Sequence, residues 1–177
     1  MSPETIDDRA ACRLLDGRRI LLRCLSAGDT KALVALHQHL SDRDRYLRFF
    51  TLNPVHLDEL VTKLSTPAAG QCALGAFDGH RLIGVANYQV SDHDSAAADV
   101  AIVVAHEDHL RGVGTALLGR LAAIAKTHGV RRFIADVLTE NHLMLKVFSD
   151  LAWPRERTSY GPVCHLEFEL PETRVET

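Results

Sequence analysis

Stretches with the apolar alternation of a strand and stretches with the apolar spacing of a helix follow one another along the chain. In residues 18–25, the side chains of Ile20, Leu22 and Cys24 recur at every second position, which predicts a strand. Residues 27–40 and 56–64 carry leucines three and four positions apart, the spacing of one helix face. The first third of the chain is therefore predicted to form a strand followed by two helices.

The remainder continues this alternation. Three strands are predicted at 71–77, 81–90 and 97–105, the first two joined by the turn Asp78-Gly79-His80. A helix at 115–128 with Gly129 as its C-terminal cap, a strand at 131–138, a helix at 140–151 and a strand at 160–170 complete the pattern. The order β-α-α-β-β-β-α-β-α-β predicts a mixed α/β sheet.

Length and composition narrow the class of protein. The 177 residues suffice for one compact domain, and 46% apolar with 24% charged residues is typical of a globular protein. No repeat or linker divides the sequence, so we expect a single domain over 1–177, with a core at 18–170 and residues 1–15 as a tail that can be disordered.

The charge and the apolar runs exclude several partners. The longest aliphatic run, 100–105, is too short to cross a membrane, and residues 1–13 lack the apolar core of a secretory signal. A net charge of −3 gives no general attraction to nucleic acid or anionic lipid. These features predict a cytoplasmic protein without a membrane or nucleic-acid partner.

The spacing of the cysteines and histidines does not match that of known metal sites. Cys12, Cys24, Cys72 and Cys164 form no C-x-x-C pair, which predicts buried thiols rather than a zinc site or a disulfide framework. His106 and His109 stand three apart, and Asp92-His93-Asp94 is a compact cluster. Neither group has a helical i, i+4 pair with a third ligand, so no metal is predicted.

The candidate chemistry lies between the strand at 97–105 and the next helix, in the ten residues 106–115 (HEDHLRGVGT). Gly112 and Gly114 permit a tight turn and a close approach of a ligand to the amides, and a helix N-terminus favours phosphate. The absence of lysine after Gly114 excludes a P-loop, and Leu117 excludes a dinucleotide fingerprint. The alternative is that the two glycines only form a strand-to-helix turn.

Residues 109–114 resemble the acyl-CoA loop of the GNAT N-acetyltransferases, Q/R-x-x-G-x-G/A, with His109 in place of the usual glutamine or arginine. Residues 137–141 (VLTEN), followed by Met144 and Phe148, are similar to the next strand and helix of that family, where an asparagine contacts the cofactor. The predicted element order is also that of the family over 18–170. More narrowly, residues 41–50 with 137–138 and Asn141 are similar to bacterial Pat-type protein lysine acetyltransferases.

The resemblance implies a GNAT (acyl-CoA N-acyltransferase) fold, a mixed, mostly antiparallel sheet flanked by helices, with acetyl-CoA as co-substrate. It implies that the amides of 111–115 hold the phosphates, that pantetheine pairs with the strand 102–104, and that an N–H near Val104 donates to the oxyanion. The implied cofactor-binding residues are Ile102, Val103, Val104, His109, Leu110, Arg111, Gly112, Val113, Gly114, Thr115, Asn141 and Phe148.

The resemblance also suggests catalytic groups. Asp99 occupies the place of the family's glutamate and is the candidate general base, directly or through a water; an exposed carboxylate at a strand start is the alternative. Glu107 and His106 are further candidate bases. Phe148 stands where many relatives have a tyrosine acid, which leaves Ser149, Tyr160, a water or an unassisted thiolate.

The predicted function is transfer of an acetyl group from acetyl-CoA to an amine by direct attack, with a protein lysine as acceptor. A small-molecule amine as acceptor and a catalytically weak acyl-CoA-binding regulatory module remain as alternatives. The predicted partners are acetyl-CoA, a protein or small-amine substrate, and a second copy of the chain in a homodimer.

Overall fold

The computed structural model describes residues 9–49 and 56–172. Its helices are α1 (Thr30–Gln38), α2 (Asp42–Phe49), α3 (Leu57–Ser65), α4 (Val113–Thr127) and α5 (His142–Asp150). The strands are β1 (Arg9–Arg13), β2 (Arg19–Cys24), β3 (Gln71–Asp78), β4 (Arg81–Val90), β5 (Ala97–Val104), β6 (Arg132–Leu138), β7 (Arg155–Tyr160) and β8 (Val163–Glu169).

All eight strands belong to one sheet, in the order β1-β2-β3-β4-β5-β6-β8-β7. Neighbouring strands are antiparallel except β5 and β6, which are parallel. The predicted fold class, a mixed and mostly antiparallel sheet flanked by helices, is therefore confirmed. The parallel pair is joined through α4, as expected because a parallel connection requires a crossover.

Each face of the sheet has its own core. One core joins α4 and α5 to inward side chains from β2 to β6 and β8, among them Leu117, Leu121 and Phe168. The other joins α1 and α3 to β2–β5, and the described residues of β6, β7 and β8 contribute nothing to it. Beyond β5, this second face of the sheet therefore has no apolar core among the described residues.

Most elements lie where the hydrophobic pattern predicts them. The turn at Gly79 (φ 61°) joins β3 to β4, and Gly129 (φ 85°) follows the end of α4 in the left-handed conformation. Three elements differ. Residues 9–13, within the expected tail, form β1; α2 lies in a segment without a predicted element; and the predicted strand 160–170 forms as β8, with an additional strand, β7, paired beside it.

Parts of the predictions fall on residues that are not described. Residues 1–8 of the tail, Phe50 of the Pat-like segment, and the helix-preceding pair Asn53-Pro54 lie outside the described ranges.

The predicted burial of the four thiols is met only at Cys164. No disulfide joins the four cysteines, but only Cys164 is buried; Cys12, Cys24 and Cys72 are partly exposed, because they lie on strands at or near the sheet's edge. A search of the described helices finds none with the length and apolarity needed to span a bilayer.

Candidate active site

A V-shaped cleft opens where β5 and β6 separate. Their parallel pairing joins Ala97–Asp99 to Arg132–Ile134 and ends there. On the other side β5 stays bonded to β4, since the Ala105 N–H donates to the Ile83 carbonyl (2.8 Å). Because hydrogen-bonding direction alternates along an antiparallel strand, the peptide groups of Val100, Ile102 and Val104 face the cleft. The cleft thus offers a strand edge to which an extended amide-bearing chain can bind.

The wide end of the cleft meets the start of α4. Gly112 has a left-handed backbone (φ 91°) and is the N-cap, and no side chain caps the helix. The first turn carries no acidic residue. The first N–H groups of α4, together with the positive end of the helix dipole, therefore form a site that favours an anionic group.

Cleft and helix start share one cavity of about 790 Å³. Its size and elongated lining, from the β5 edge to the α4 N-terminus, suit a long ligand with an anionic end. All twelve predicted cofactor-binding residues line it: Ile102, Val103, Val104, His109, Leu110, Arg111, Gly112, Val113, Gly114, Thr115, Asn141 and Phe148. Val103 differs from its neighbours, because its side chain belongs to the core under α1 and α3.

A buried charge network fixes the loop before α4. Asp108 is 2% exposed, and its Oδ1 accepts hydrogen bonds from Arg18 Nη2 (2.9 Å) and Arg81 Nη2 (3.4 Å). Arg18 also binds Asp78 (2.8 Å), and these contacts raise its pKa, the bond to Asp108 being the largest cause. The carboxylate of Asp108 therefore ties the loop to the strands β2 and β4.

The turn between β1 and β2 holds the other side of the loop. The Leu15 N–H donates to the Arg111 carbonyl (3.0 Å), and Asp16 lies 3.7 Å from the Arg111 guanidinium. The pKa of Asp16 is lowered, first by the Arg18 N–H and then by the Arg18 and Arg111 side chains. This turn, which begins within the expected tail (residues 1–15), positions the loop before α4.

The candidate base Asp99 lies at the apex of the cleft, as the last β5 residue paired to β6. Val100 and Ile102 pack into the core under α4, whereas Val103 packs into the core under α1. By the alternation of a strand, the exposed Asp99 side chain lies on the α1 face, beside Gln89 of β4. It does not line the cavity itself.

Glu107, the alternative base, is directed elsewhere. Its carboxylate accepts a hydrogen bond from Arg81 (2.9 Å), its side chain is 66% exposed, and it does not line the cavity. His106, the third candidate, lies 3.2 Å from the Asp44 carboxylate of α2. Asp44 belongs to the Pat-like segment 41–50, and its side chain lines the cavity.

His109, the residue that departs from the family loop, binds the end of β5. Its Nε2 lies 2.9 Å from the Val104 carbonyl oxygen; because a carbonyl only accepts, this nitrogen carries the proton. The bond occupies the Val104 carbonyl and leaves the Val104 N–H facing the cleft. His109 therefore holds the strand edge in place.

On the far wall, α5 begins at Asn141, whose side-chain oxygen accepts from the Met144 N–H (3.2 Å) and caps the helix. Phe148 is buried and stacks on Phe168, with ring centroids 4.8 Å apart. Of the other acid candidates, Ser149 is exposed on α5 and Tyr160 is 68% exposed at the end of β7. Neither Ser149 nor Tyr160 lines the cavity.

Sequence reasoning missed an acidic cluster beside the cleft. Asp136 lines the cavity and accepts from His165 Nδ1 (2.8 Å), and Glu167 lies 3.3 Å from the other ring nitrogen. These carboxylates raise the pKa of His165, the bond to Asp136 being the largest cause. Only the β6–β8 register brings the three together, so no local sequence signal could reveal the cluster.

Comparisons with known proteins agree with this geometry. Residues 33–153 match the acetyltransferase (GNAT) family. The acetyltransferase Pat of Mycolicibacterium smegmatis is 38% identical over 77 residues, which cover 42% of this chain and 23% of that protein. The chain thus spans about a quarter of that relative's length.

Solved structures extend the similarity to nearly the whole chain. The GNAT domain of S. lividans PAT superposes with a TM-score of 0.86 at 30% identity, covering 94% of this chain and 99% of that one. The yncA protein of Salmonella typhimurium, whose structure contains acetyl-CoA, shares the fold at 14% identity (TM-score 0.66, covering 89% and 98%). The chain belongs to the GNAT family of acetyltransferases.

Proposed function

We propose that this chain transfers the acetyl group of acetyl-CoA to the side-chain amine of a protein lysine. The observation that carries the proposal is the junction of an unpaired β5 edge with the uncapped start of α4 in one cavity. The helix start suits the diphosphate and the strand edge suits the amides of pantetheine. The thioester then lies toward the apex of the cleft, where Asp99 is placed.

The proposed reaction uses two groups of this chain, a general base and a donor to the oxyanion. Asp99, through a water, accepts a proton from the lysine ammonium, and the neutral amine attacks the thioester carbonyl carbon. The cleft-facing N–H of Ile102 or Val104 stabilises the oxyanion. The C–S bond then breaks, and the nitrogen loses its second proton, which the departing CoA thiolate takes up through solvent. Because a thiol has a pKa near 8.5, the thiolate can leave without an acid at the Phe148 position.

The open sheet face supports a protein rather than a small amine as acceptor. Beside Asp99, this face of β6 and β8 displays Asp136 and Glu167, and on β7 it displays Glu156 opposite Glu167. Arg132 (3.8 Å from Glu167) and His165 lie among these carboxylates, so acidic side chains outnumber basic ones on this face. Among the described residues, no apolar core covers this part of the face. An exposed acidic surface attracts the cationic flank of a lysine-bearing segment but cannot enclose a small molecule.

Thiol release from acetyl-CoA with lysine peptides tests the assignment of the base. We expect Asp99→Asn to lower kcat at least a hundredfold while the Kd for acetyl-CoA stays within twofold, as for the loss of a general base. Asp99→Glu restores the family's longer carboxylate and should retain activity. Glu107→Gln separates the candidates, because its carboxylate is already held by Arg81. A larger loss in Glu107→Gln than in Asp99→Asn would reverse the assignment.

The acceptor class is tested with peptides that carry lysine between basic or between acidic residues, and with free small amines. We expect the basic peptides to react fastest, and Glu156→Gln with Glu167→Gln to lower kcat/KM for them about fivefold, equivalent to about 1 kcal/mol. Asp58→Asn with Glu59→Gln removes the same charge from α3 as a matched control. Faster reaction of small amines, with no effect of the β7 and β8 variants, would contradict a protein acceptor.

A further inference from the structure

A carboxylate and two imidazoles meet at the edge of the cavity, independently of the proposed acetyl transfer. Asp44 comes from α2, and His106 and His109 come from the turn after β5; one ligand atom of each lies within 4.8 Å of the others. The sequence offered only the two histidines, three positions apart. The third ligand is supplied by packing of α2 against this turn.

His109 is already prepared as a ligand. Its Nε2–H donates to the Val104 carbonyl, so the lone pair is on Nδ1. That nitrogen is buried and has no hydrogen-bond partner among the described residues. Metal-binding histidines characteristically donate their second ring N–H to a backbone carbonyl, which fixes the tautomer and the ring orientation. A buried nitrogen without a partner is costly, and a metal ion would satisfy it.

Asp44 and His106 complete the ligand set and differ in their exposure to solvent. The Asp44 side chain is 13% exposed and is held by His106 Nδ1 at 3.2 Å, whereas the His106 side chain is 70% exposed. The two histidine rings lie edge to face, with centroids 5.1 Å apart. Donors at about 2.0 Å from a tetrahedral ion lie about 3.3 Å apart. Rotation of the exposed His106 ring can provide this small closure without repacking the core.

We propose that Asp44, His106 and His109 bind a divalent metal ion of the class that prefers imidazole nitrogen, such as Zn²⁺. Two imidazoles and one carboxylate provide three protein ligands and leave an open coordination position, as in zinc sites that accept water or a substrate atom. Because Asp44 and His109 both line the cavity, the ion lies at its edge and links α2 to the acyl-CoA loop.

Metal titration of the full chain tests the site without any measurement of activity. With Zn²⁺ in competition with a chromogenic chelator at about pH 7.5, where imidazole is neutral, we expect one ion per chain. His106→Ala and Asp44→Asn should each weaken binding at least tenfold. His93→Ala is the matched control, because His93 is also exposed and lies between Asp92 and Asp94, but belongs to no three-ligand cluster.

The absorption spectrum of bound Co²⁺ distinguishes binding at this site from binding by cysteine thiolates. Co²⁺ bound by nitrogen and oxygen ligands gives visible d–d absorption without the near-ultraviolet band of a thiolate–cobalt bond. We expect that spectrum in the wild type and in His93→Ala, and its loss in His106→Ala. Circular dichroism shows whether each variant is folded. A thiolate band, no binding, or binding that His106→Ala and Asp44→Asn leave unchanged would overturn the proposal.

Discussion

Leu110 has a left-handed backbone (φ 61°) in the middle of the acyl-CoA loop, a conformation that costs a residue with a Cβ about 1 kcal/mol. Its side chain is 68% exposed, so packing offsets little of this cost. The neighbouring turn holds Arg111 through Leu15, which fixes the backbone on the C-terminal side. The strain lies at the site where loop amides are aimed at a ligand, as strained backbone commonly does.

This strain predicts the effect of glycine at position 110. Leu110→Gly should raise the free energy of unfolding by about 0.5 kcal/mol, because relief of the left-handed cost exceeds the added entropy of the unfolded chain. Leu110→Ala removes the same apolar side chain but keeps the Cβ, and should give no gain. Urea unfolding of the three proteins measures the difference. Equal stability of the glycine and alanine variants would show that the backbone is not strained.

Among single residues, the sequence predicted those whose role depends on local backbone. Gly112 and Gly114 could be singled out because a tight strand-to-helix turn favours glycine, and Gly112 is the left-handed N-cap of α4. Asp136 and His165 could not, because only the β6–β8 register makes them neighbours. Asp44 could not be singled out either, since its contact with His106 joins residues 62 positions apart.

The helix α4 links the anion-binding site to the core. Its buried face, including Leu117, Leu118 and Leu121, packs on the sheet, while its N-terminus lies at the cavity. A Cβ at Gly114 would lie 3.1 Å from Val147 of α5, so the helix start is packed closely against α5. Movement of this N-terminus is therefore restricted by its neighbours rather than by a capping side chain.

Two glycines of this region should respond oppositely to alanine. Gly112→Ala places a Cβ on a backbone with φ 91° and should cost about 1 kcal/mol of stability. It should also weaken acetyl-CoA binding about tenfold, equivalent to about 1.4 kcal/mol, because the loop amides shift. Gly119→Ala lies on the exposed face with open space around it and should gain up to about 1 kcal/mol.

Thermal unfolding and acetyl-CoA calorimetry measure both effects. Gly119→Ala serves as the control for the added methyl group, since it should leave the Kd unchanged. Equal affinities of the two variants would mean that the Gly112 conformation does not position the amides.

A helix or strand could be predicted from the sequence where its buried face imposes a regular spacing of apolar residues. Two elements lack such a face: α2 (DRDRYLRF) is dominated by charge, and β7 (RERTSY) is an edge strand exposed along its whole length. β1 has a partly buried face, Ala10 and Cys12, but is only five residues long. The charged segment that follows Trp153-Pro154 reads as a loop, which is why one strand was predicted where the chain forms a hairpin. These elements are specified by pairing with neighbours and not by their own composition.

At the scale of the whole molecule, the sheet order places ionisable side chains beyond the strands that pack against α1 and α3. β8 inserts between β6 and β7, which extends the sheet past α1 and α3. The result is an open face beside Asp99 with carboxylates and one histidine, His165, partly exposed on β8. Its charge therefore depends on pH near neutrality, through the protonation of that histidine.

The paired carboxylates give His165 a pH-dependent contribution to stability. Its pKa is raised above 6.5, first by Asp136 and then by Glu167, so the folded state binds the proton more tightly than the unfolded chain. The contribution is fully present below the unfolded pKa and is lost as the pH rises through the folded pKa. His165→Gln should therefore destabilise the protein more at about pH 5.5 than at about pH 8.5.

Urea unfolding of wild type and His165→Gln at both pH values measures this change, with the exposed turn residue His80→Gln as the matched control. An NMR titration of the His165 ring gives its pKa directly.

Because a protonated His165 also reduces the negative potential beside Asp99, basic lysine peptides should bind more tightly as the pH rises through the same pKa. A stability difference that is equal at both pH values, or larger at the higher one, would rule out this linkage.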